Sequence, residues 1–170
     1  MLCPSCGYEN IEGTDRCDNC MTSLQKLDLP QADGARGLAR SVMEDKLSEL
    51  EHEEPVLVQP QTPAIDVMQK MISAHSGCAL VLEADKLVGI FTEHDVLHRL
   101  FGEKASARDV AVQELMSPNP ESLRESDSVA TALNKMSLGR YRHIPVARND
   151  GSYGVTSIKS VLKYIAKEDW

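Results

Sequence analysis

Residues 89–95 read Gly-Ile-Phe-Thr-Glu-His-Asp, and a related stretch, Gly-Val-Thr-Ser-Ile-Lys-Ser, begins 154 − 89 = 65 residues later. Each copy follows a short apolar run typical of a buried strand and precedes apolar residues at the spacing of an amphipathic helix. The first copy carries a hydroxyl and a carboxylate three residues apart, Thr92 and Asp95, whereas the second carries Ser157 and Ser160. The chain therefore predicts a duplicated unit with one intact polar pair, which favours ligand sensing over catalysis.

The same order of strands and helices surrounds both copies. Apolar runs at 56–58, 79–82 and 87–91 predict strands in the first unit, and runs at 143–147 and 153–156 predict strands in the second. A helix lies between the first two strands of each unit; its predicted buried stripe in the first unit is Ile65, Met68, Met71 and Ile72, and its predicted cap in the second is Asp127. Turns at 83–86 and 149–151 predict hairpins.

The predicted fold class is α/β, with two βαββα units. A unit of this size buries little core alone, so the two units should pack together as a pseudo-symmetric pair. A short amphipathic helix over 41–52 leads into the first unit. We place a first domain at 41–105, including this helix, and a second at 106–170.

Four of the five cysteines form two Cys-x2-Cys pairs, Cys3 with Cys6 and Cys17 with Cys20. Two such pairs can supply a closed, tetrahedral, all-sulfur site, which is structural because no position is left for a substrate. The unit at 1–25 resembles a zinc ribbon and is joined by a linker at 26–40. Iron fits the same four thiolates, and disulfides are disfavoured in a reducing compartment.

Composition excludes several classes of function. The formal net charge of −8 disfavours a nucleic-acid-binding face, which needs clustered Lys and Arg. No apolar stretch reaches the roughly 18 residues of a membrane span, and the N-terminus lacks a secretory signal, so we expect a cytoplasmic protein. No nucleophile with a base and no open metal site is apparent, so we expect no enzyme.

The repeated order, the Gly-x-x-Thr-x-x-Asp motif and the Leu-Met-Ser-Pro stretch at 115–118 together resemble a tandem pair of CBS domains, or Bateman module, over roughly 41–168. The resemblance implies a cleft for an adenosine-containing ligand: AMP, ADP, ATP or S-adenosylmethionine. It implies that Thr92 and Asp95 contact the ribose and the nearest phosphate, and that the pair forms homodimers. An ionised carboxylate can accept hydrogen bonds from both hydroxyls of a ribose.

The resemblance also implies that Arg142 and His143, which stand three and two residues before Pro145, reach the phosphate from the facing unit. The first unit has Gly77 and Cys78 at the comparable positions. We therefore expect one nucleotide site, with His94 beside it favouring AMP or S-adenosylmethionine over ATP. A weak or empty second site would lie at Ser157 and Ser160.

The expected function is a non-enzymatic adenylate sensor that signals to a protein partner. Two alternatives remain open: an interaction module that binds no nucleotide, and an iron-loaded, rubredoxin-like redox protein.

Overall fold

A computed structural model describes residues 2–3, 5–11, 14–22, 24, 38–100 and 110–167. Most of the predicted linker at 26–40 lies outside these residues, as does the segment 101–109 between the two units. Within the described ranges, no helix is both long and apolar enough to cross a membrane.

The described elements follow the predicted order in both units. Helix α1 (Leu38–Glu44) and a 3-10 turn (Leu47–Glu49) lead into the first unit. The first unit contains β1 (Val56–Val58), α2 (Ala64–Ser73), β2 (Cys78–Glu83), β3 (Lys86–Thr92) and α3 (Glu93–Asp95), which a π-helical turn (Val96–Leu100) continues. The second unit contains a 3-10 turn (Val112–Glu114), β4 (Ser117–Pro118), β5 (Leu123–Arg124), α4 (Val129–Gly139), β6 (His143–Ala147), β7 (Tyr153–Ser157) and α5 (Ile158–Lys167).

The strands form two sheets with the same internal topology. In the first sheet β1 pairs parallel with β2 and β2 antiparallel with β3; in the second sheet β5 pairs parallel with β6 and β6 antiparallel with β7. Strand β4 of the second unit extends the first sheet by pairing with β3, and Glu53 forms a comparable single bridge to Val155 of β7. The predicted α/β class with two βαββα units is thus confirmed, and each sheet receives a segment that precedes the other unit's first strand.

Both predicted hairpins are present, and backbone geometry explains them. Ala84 and Asp85 both have positive φ, 47° and 62°, as a two-residue turn between twisted strands requires. Gly151, with φ of 85°, provides the left-handed residue in the second hairpin.

Each unit has its own apolar core. The first is built around Val67, Val81 and Phe91, and the second around Ile144 and Val161. Leu47 and Leu50 pack into the second core, and Val42 of α1 packs against it. The leading segment, which we grouped with the first domain, therefore packs against the second unit; the domain boundaries themselves stay predictions.

One local prediction was partly right and another was wrong. Of the predicted stripe of α2, Met71 is buried and Met68 packs against the first core. The face of α2 that is buried consists of Ala64, Val67 and Met71, whereas Ile72 is 65% exposed, because residues spaced three and four apart from the helix start at Ala64 face the sheet.

The cap of α4 is Ser128 rather than Asp127. The Ser128 hydroxyl accepts from the Thr131 N–H at 3.2 Å, as an N-cap side chain should. Asp127 Oδ2 instead accepts from the backbone N–H of Arg124 at 2.8 Å and so holds the turn before the helix.

Candidate functional site

A cavity of about 540 Å³ lies where the end of β3 and the start of α3 face the start of β6. The six residues predicted for the nucleotide site all line it: Thr92, His94 and Asp95 from the first unit, and Arg142, His143 and Pro145 from the second. The other lining residues are Ile90, Glu93, Leu97, Arg99, Ser117, Pro120, Glu121, Gly139, Arg140 and Tyr141. The fold thus brings together side chains that are about 50 positions apart in the sequence.

Thr92 and Asp95 form a reciprocal cap at the start of α3. Thr92 donates to Asp95 Oδ2 from its backbone N–H at 2.9 Å and from its hydroxyl at 2.8 Å, and the Asp95 N–H donates to Thr92 Oγ1 at 3.4 Å. Asp95 is only 2% exposed. The pair therefore fixes the local turn with one carboxylate oxygen, which is the structural role that such a pattern commonly has.

The second oxygen of Asp95 faces Arg99, a residue that sequence reasoning missed. Arg99 Nη1 lies 3.4 Å from Asp95 Oδ1 and also donates to the carbonyls of Leu115 and Met116, at 2.9 and 2.8 Å. A carboxylate and a guanidinium four residues apart on a helix are neighbours, and that spacing was the available signal. Arg99 therefore connects the motif of the first unit to the start of the second.

Positive and negative side chains are balanced around the cavity. Arg99, Arg140 and Arg142 stand against Glu93, Asp95 and Glu121. Arg140 was also missed by sequence reasoning; it ends α4 in the left-handed conformation, with φ of 54°.

His143 differs from Arg142 in its charge. Burial lowers the pKa of His143, although Glu53 and Glu93 oppose this shift. The ring is therefore neutral at pH 7, so of this predicted cationic pair only Arg142 carries a fixed charge. Close packing explains the burial, since a Cβ added at Gly77 would lie 2.6 Å from His143 Nε2.

His94 lies on the exposed side of the cavity wall. Its ring packs against that of His98, with centroids 4.3 Å apart and planes tilted by 36°. This contact leaves the imidazole at the rim of the cavity rather than in its floor.

The pseudo-equivalent position in the second unit is closed by the chain itself. Ser157 Oγ donates to Glu53 Oε1 at 2.7 Å, and Ser160 Oγ lies 3.1 Å from Ser157 Oγ. Both serines are buried, at 2% and 5% exposure. Glu53, from the segment before β1, thus accepts the hydrogen bond of the Ser157 hydroxyl, as Asp95 accepts that of the Thr92 hydroxyl in the first unit.

Cys78 lies near this closed position. Burial raises the pKa of the Cys78 thiol to about 12, and the Glu53 carboxylate adds to the shift. The thiol is therefore protonated at neutral pH and behaves as a small apolar residue of the core.

The four N-terminal cysteines converge. Their Sγ atoms all lie within 4.8 Å of one another, and the pairs Cys3–Cys20 and Cys6–Cys17 are each 3.6 Å apart. Sulfurs bound at about 2.3 Å around a tetrahedral ion would be separated by nearly 4 Å, so the four thiols fit one zinc or iron ion. A closed set of four thiolates would stabilise the fold around the metal and offer no position for a substrate.

The hydrogen bonds in this cluster favour the thiolate at Cys17 and Cys20, whose pKa values are lowered. Hydrogen bonds from Tyr8 and Asn19 act in the same direction on Cys6, but the hydrogen bond that it shares with Cys20 raises the pKa of Cys6 to about 11. Thr22, through its hydroxyl and backbone N–H, holds the pKa of Cys20 down at about 6. The side-chain amides of Asn10 and Asn19 donate to Cys17 Sγ and Cys6 Sγ, each at 3.6 Å. Donors of this kind stabilise the charged form of sulfur that a metal requires.

Comparison with known proteins identifies the repeat. The family model for the CBS domain matches residues 47–102 and 112–167, which together are more than half of the chain. The CBS domain-containing protein CBSCBSPB1 from Arabidopsis thaliana is 36% identical over 94 residues, an alignment that spans 55% of this chain and 17% of the relative. The meiotically up-regulated gene 70 protein from Schizosaccharomyces pombe is 30% identical over 107 residues, spanning 62% of this chain and 15% of that protein. The chain thus corresponds to a small part of these much longer relatives.

Solved structures share the fold. A CBS-domain-containing protein from Agrobacterium tumefaciens superposes with a TM-score of 0.60 at 27% identity, covering 66% of this chain and 90% of that chain. CBSX2, solved in complex with AMP, gives 0.61 at 21% identity, with 72% and 96% covered. The CBS domain pair of protein MJ0100, solved with 5-methylthioadenosine and S-adenosyl-L-methionine, gives 0.63 at 17% identity, with 73% and 98% covered.

The domain matches and the repeated βαββα architecture agree in their position along the chain. The chain therefore belongs to the CBS domain family and contains a tandem pair of CBS domains.

Proposed function

We propose that the CBS pair binds one phosphate-bearing adenosine nucleotide in the cavity between its two units and acts as a non-enzymatic sensor. The observation that carries this proposal is the convergence on one cavity of the Thr92–Asp95 pair and Arg142, which come from different units. The volume of about 540 Å³ lies within the range of about 300–1,000 Å³ usual for small-molecule sites.

Each side chain has a role that its chemistry supports. Asp95 Oδ1, which is free of the capping hydrogen bonds, and the Thr92 hydroxyl would bind the ribose. Arg142 would bind the phosphate, because a guanidinium offers paired N–H donors to phosphate oxygens. His94 and Pro145 would form the rim and wall of the site.

Solved CBS pairs support the ligand class. CBSX2 is described in complex with AMP, and the MJ0100 pair in complex with methylthioadenosine and S-adenosylmethionine. These proteins are too distant to select among the ligands. The guanidinium of Arg142, which lines the cavity with Thr92 and Asp95, favours a nucleotide with phosphate over the uncharged methylthioadenosine.

We propose a single nucleotide per chain. The Glu53 carboxylate occupies the hydroxyl of Ser157, and both Ser157 and Ser160 are buried. A second nucleotide would have to displace a charge-assisted hydrogen bond of 2.7 Å and would face a carboxylate rather than a cation.

The N-terminal unit at 1–25 is proposed to be a structural zinc ribbon that meets a protein partner. The convergence of its four Sγ atoms within 4.8 Å supports this role. A bound zinc ion would supply the stabilisation that the small core of Cys3, Cys17 and Leu24 lacks. The CBS pair is expected to form homodimers in the cytoplasm, with the domain boundaries given by the sequence.

Calorimetric titration of the zinc-loaded full chain with AMP, ADP, ATP and S-adenosylmethionine tests the proposal. Arg142→Met and Asp95→Asn should each weaken binding at least about tenfold, since hydrogen bonds to charged groups contribute about 1.5–3 kcal/mol. Asp95→Asn keeps an oxygen for the Thr92 cap, so it removes the charge with little loss of fold.

The matched control for the cation is Arg148→Met. Arg148 pairs with Glu54 at 2.8 Å and lies outside the cavity, so this change should leave the nucleotide affinity unaltered. Absence of binding by AMP, ADP and ATP would refute the proposed function, and equal losses in Arg142→Met and Arg148→Met would refute the site. Native mass spectrometry of the same samples should count one nucleotide and one metal per chain.

The alternative function is an interaction module without nucleotide, and the reciprocal cap formed by Thr92 and Asp95 favours it. In that case, calorimetry would detect no ligand while loss of Cys17 would still abolish partner capture. If the protein were an iron-loaded redox protein, the purified chain would show the absorption bands of iron–thiolate bonds.

A further inference from the structure

Among the described residues, a largely buried lysine of the second CBS domain contacts the ribbon. Lys135 on α4 places its Nζ 2.7 Å from Asp15 Oδ1 of the ribbon and 2.8 Å from Glu121 Oε1. The lysine side chain is only 12% exposed, although it belongs to the residue type that is most often solvated. Its ammonium is therefore shared between two carboxylates, one from each domain.

Both partners of this lysine are held in place. The backbone carbonyl of Asp15 accepts from the Leu24 N–H at 2.8 Å, and Leu24 packs with Cys3 and Cys17 in the ribbon's core. Asp15 is also two residues from Cys17. Its carboxylate is thus carried on the part of the ribbon that the metal cluster would make rigid.

On the other side, the contact reaches the nucleotide cavity. Glu121 Oε2 accepts from the Tyr141 hydroxyl at 3.0 Å, and both Glu121 and Tyr141 line the cavity. One carboxylate therefore faces the ligand site and the ribbon contact at the same time. A continuous chain of direct contacts runs from the cavity wall through Lys135 to Asp15.

The charges determine the sign of the coupling between ligand binding and docking of the ribbon. Without the ribbon, Glu121 and Lys135 neutralise each other; with the ribbon docked, Asp15 adds a second carboxylate and the cluster carries one net negative charge. An anionic ligand in a cavity walled by Glu121 is repelled more strongly in the docked state. Because coupling between two equilibria is reciprocal, the ligand must weaken docking by the same factor.

We propose that Lys135 is the junction through which an anionic nucleotide in the cavity releases the ribbon from the second CBS domain. This inference rests on the proposed function and specifies its regulation: filling the cavity shifts the docking equilibrium of the ribbon toward the undocked state. A screened interaction across the cavity wall predicts a change of about threefold in each equilibrium.

Amine acetylation of the zinc-loaded full chain, followed by peptide mass spectrometry, measures docking without any nucleotide. Lys135 should react slowly in the wild type and about threefold faster or more in Asp15→Asn. Lys86, which is exposed in the β2–β3 hairpin, provides the internal reference. Asp18→Asn removes a charge from the same ribbon at an exposed position and should leave the Lys135 rate unchanged.

AMP is the probe for the coupling. Saturating AMP should accelerate acetylation of Lys135 in the wild type but not further in Asp15→Asn, and calorimetry should show AMP binding about threefold tighter in Asp15→Asn than in Asp18→Asn.

The outcomes separate the two proposals. An unchanged Lys135 rate in Asp15→Asn would refute docking at this lysine. Calorimetric binding of AMP without any change in Lys135 labelling would refute the coupling while leaving the proposed function intact. If AMP, ADP and ATP all fail to bind, the proposed function falls and takes the coupling with it, whereas the docking contact is still decided by the acetylation rates in the absence of nucleotide.

Discussion

Restoring the missing carboxylate of the second motif, by Ser160→Asp, should destabilise the protein rather than repair a site. In the first unit, Asp95 Oδ2 accepts from the Thr92 hydroxyl at 2.8 Å. In the second unit the equivalent Ser157 hydroxyl already donates to Glu53 Oε1 at 2.7 Å, and it has one proton to give. A new carboxylate at position 160 would therefore meet the Glu53 carboxylate across a single hydroxyl.

The magnitude follows from these distances. Two carboxylate oxygens that lie on either side of the same hydroxyl are about 5 Å apart, and at an effective dielectric constant near 20 their repulsion is about 3 kcal/mol. Capping of the Ser157 N–H by the new side chain would return about 1 kcal/mol. We therefore expect Ser160→Asp to lower the free energy of unfolding by about 2 kcal/mol at pH 7.

Urea denaturation followed by circular dichroism, in buffer containing zinc, measures this change. Glu53→Gln alone should cost about 1 kcal/mol, and the double variant should be more stable than Ser160→Asp, because an amide can donate to the new carboxylate. Ser122→Asp introduces the same charge at an exposed position and should change stability by less than about 0.5 kcal/mol. At roughly pH 4, where carboxyl groups take up protons, the penalty should shrink.

Two results would contradict the reasoning. If Ser160→Asp matched the control variant in stability, Glu53 could not be the partner of Ser157. If both single variants were destabilised but their effects simply added, the new carboxylate would not approach Glu53, and the closure of this position would have another cause.

Three further predictions follow from other contacts. Gly89→Ala should lower the free energy of unfolding, measured in urea, by about 1–3 kcal/mol, because the added Cβ would lie 2.1 Å from Met116 Sδ. Gly154→Ala should lower it less, since its nearest neighbour, Arg148 Nη2, would be 3.1 Å away, and equal losses would contradict this packing. Burial lowers the pKa of His143 below its unfolded value near 6.5, so the phosphate of a bound nucleotide should favour protonation of the ring. AMP binding at pH 7 should therefore take up a proton, and the affinity should increase as the pH falls to 6. Calorimetry in buffers of different ionisation enthalpy measures this uptake, and its persistence in His143→Gln would contradict the prediction. Removal of the metal by a chelator should abolish hydrogen-exchange protection in residues 2–24 while leaving the melting temperature of the CBS pair nearly unchanged, since neither CBS core cluster contains a ribbon residue; a joint collapse of both would contradict this independence.

The burial of His143 also affects stability, with a definite sign. The ring is neutral when folded and takes up a proton more readily when unfolded, so the unfolded state binds more protons below pH 6.5. The stability of the ligand-free protein should therefore fall as the pH is lowered through this range. Nucleotide binding should oppose the fall, because the phosphate favours the protonated ring.

The sequence predicted the βαββα repeat because apolar periodicity and turn residues agree twice along the chain. Residues 149–151 could only form a tight turn, and the structure has Gly151 there with a positive φ. The cap at Asp127 could not be predicted in the same way, because Asp127 and Ser128 are both good caps and the choice depends on a hydrogen bond to Arg124. Local propensity cannot choose between two adjacent residues that are both good helix caps.

The cavity was predicted less completely than the fold. The resemblance to CBS pairs, through the Gly-x-x-Thr-x-x-Asp motif, indicated Thr92 and Asp95, and the same resemblance indicated Arg142 and His143. Arg140 enters the cavity because the chain turns through a left-handed residue after α4, which no pattern in the sequence indicated. Likewise, the neutral state of His143 depends on packing beside Gly77, a contact between residues 143 − 77 = 66 positions apart.

The asymmetry between the two motifs has a more specific meaning in three dimensions than in the sequence. Both hydroxyls, of Thr92 and of Ser157, donate to a carboxylate at nearly the same distance, 2.8 and 2.7 Å. In the first unit the carboxylate comes from the same turn and lines the cavity; in the second it comes from Glu53, on the segment before β1. Serine at 160 and glutamate at 53 therefore belong together, since a carboxylate at both positions would repel and a carboxylate at neither would leave Ser157 without a charged acceptor. The second motif therefore keeps a hydrogen bond from its hydroxyl to a carboxylate, but that carboxylate belongs to Glu53, outside the motif.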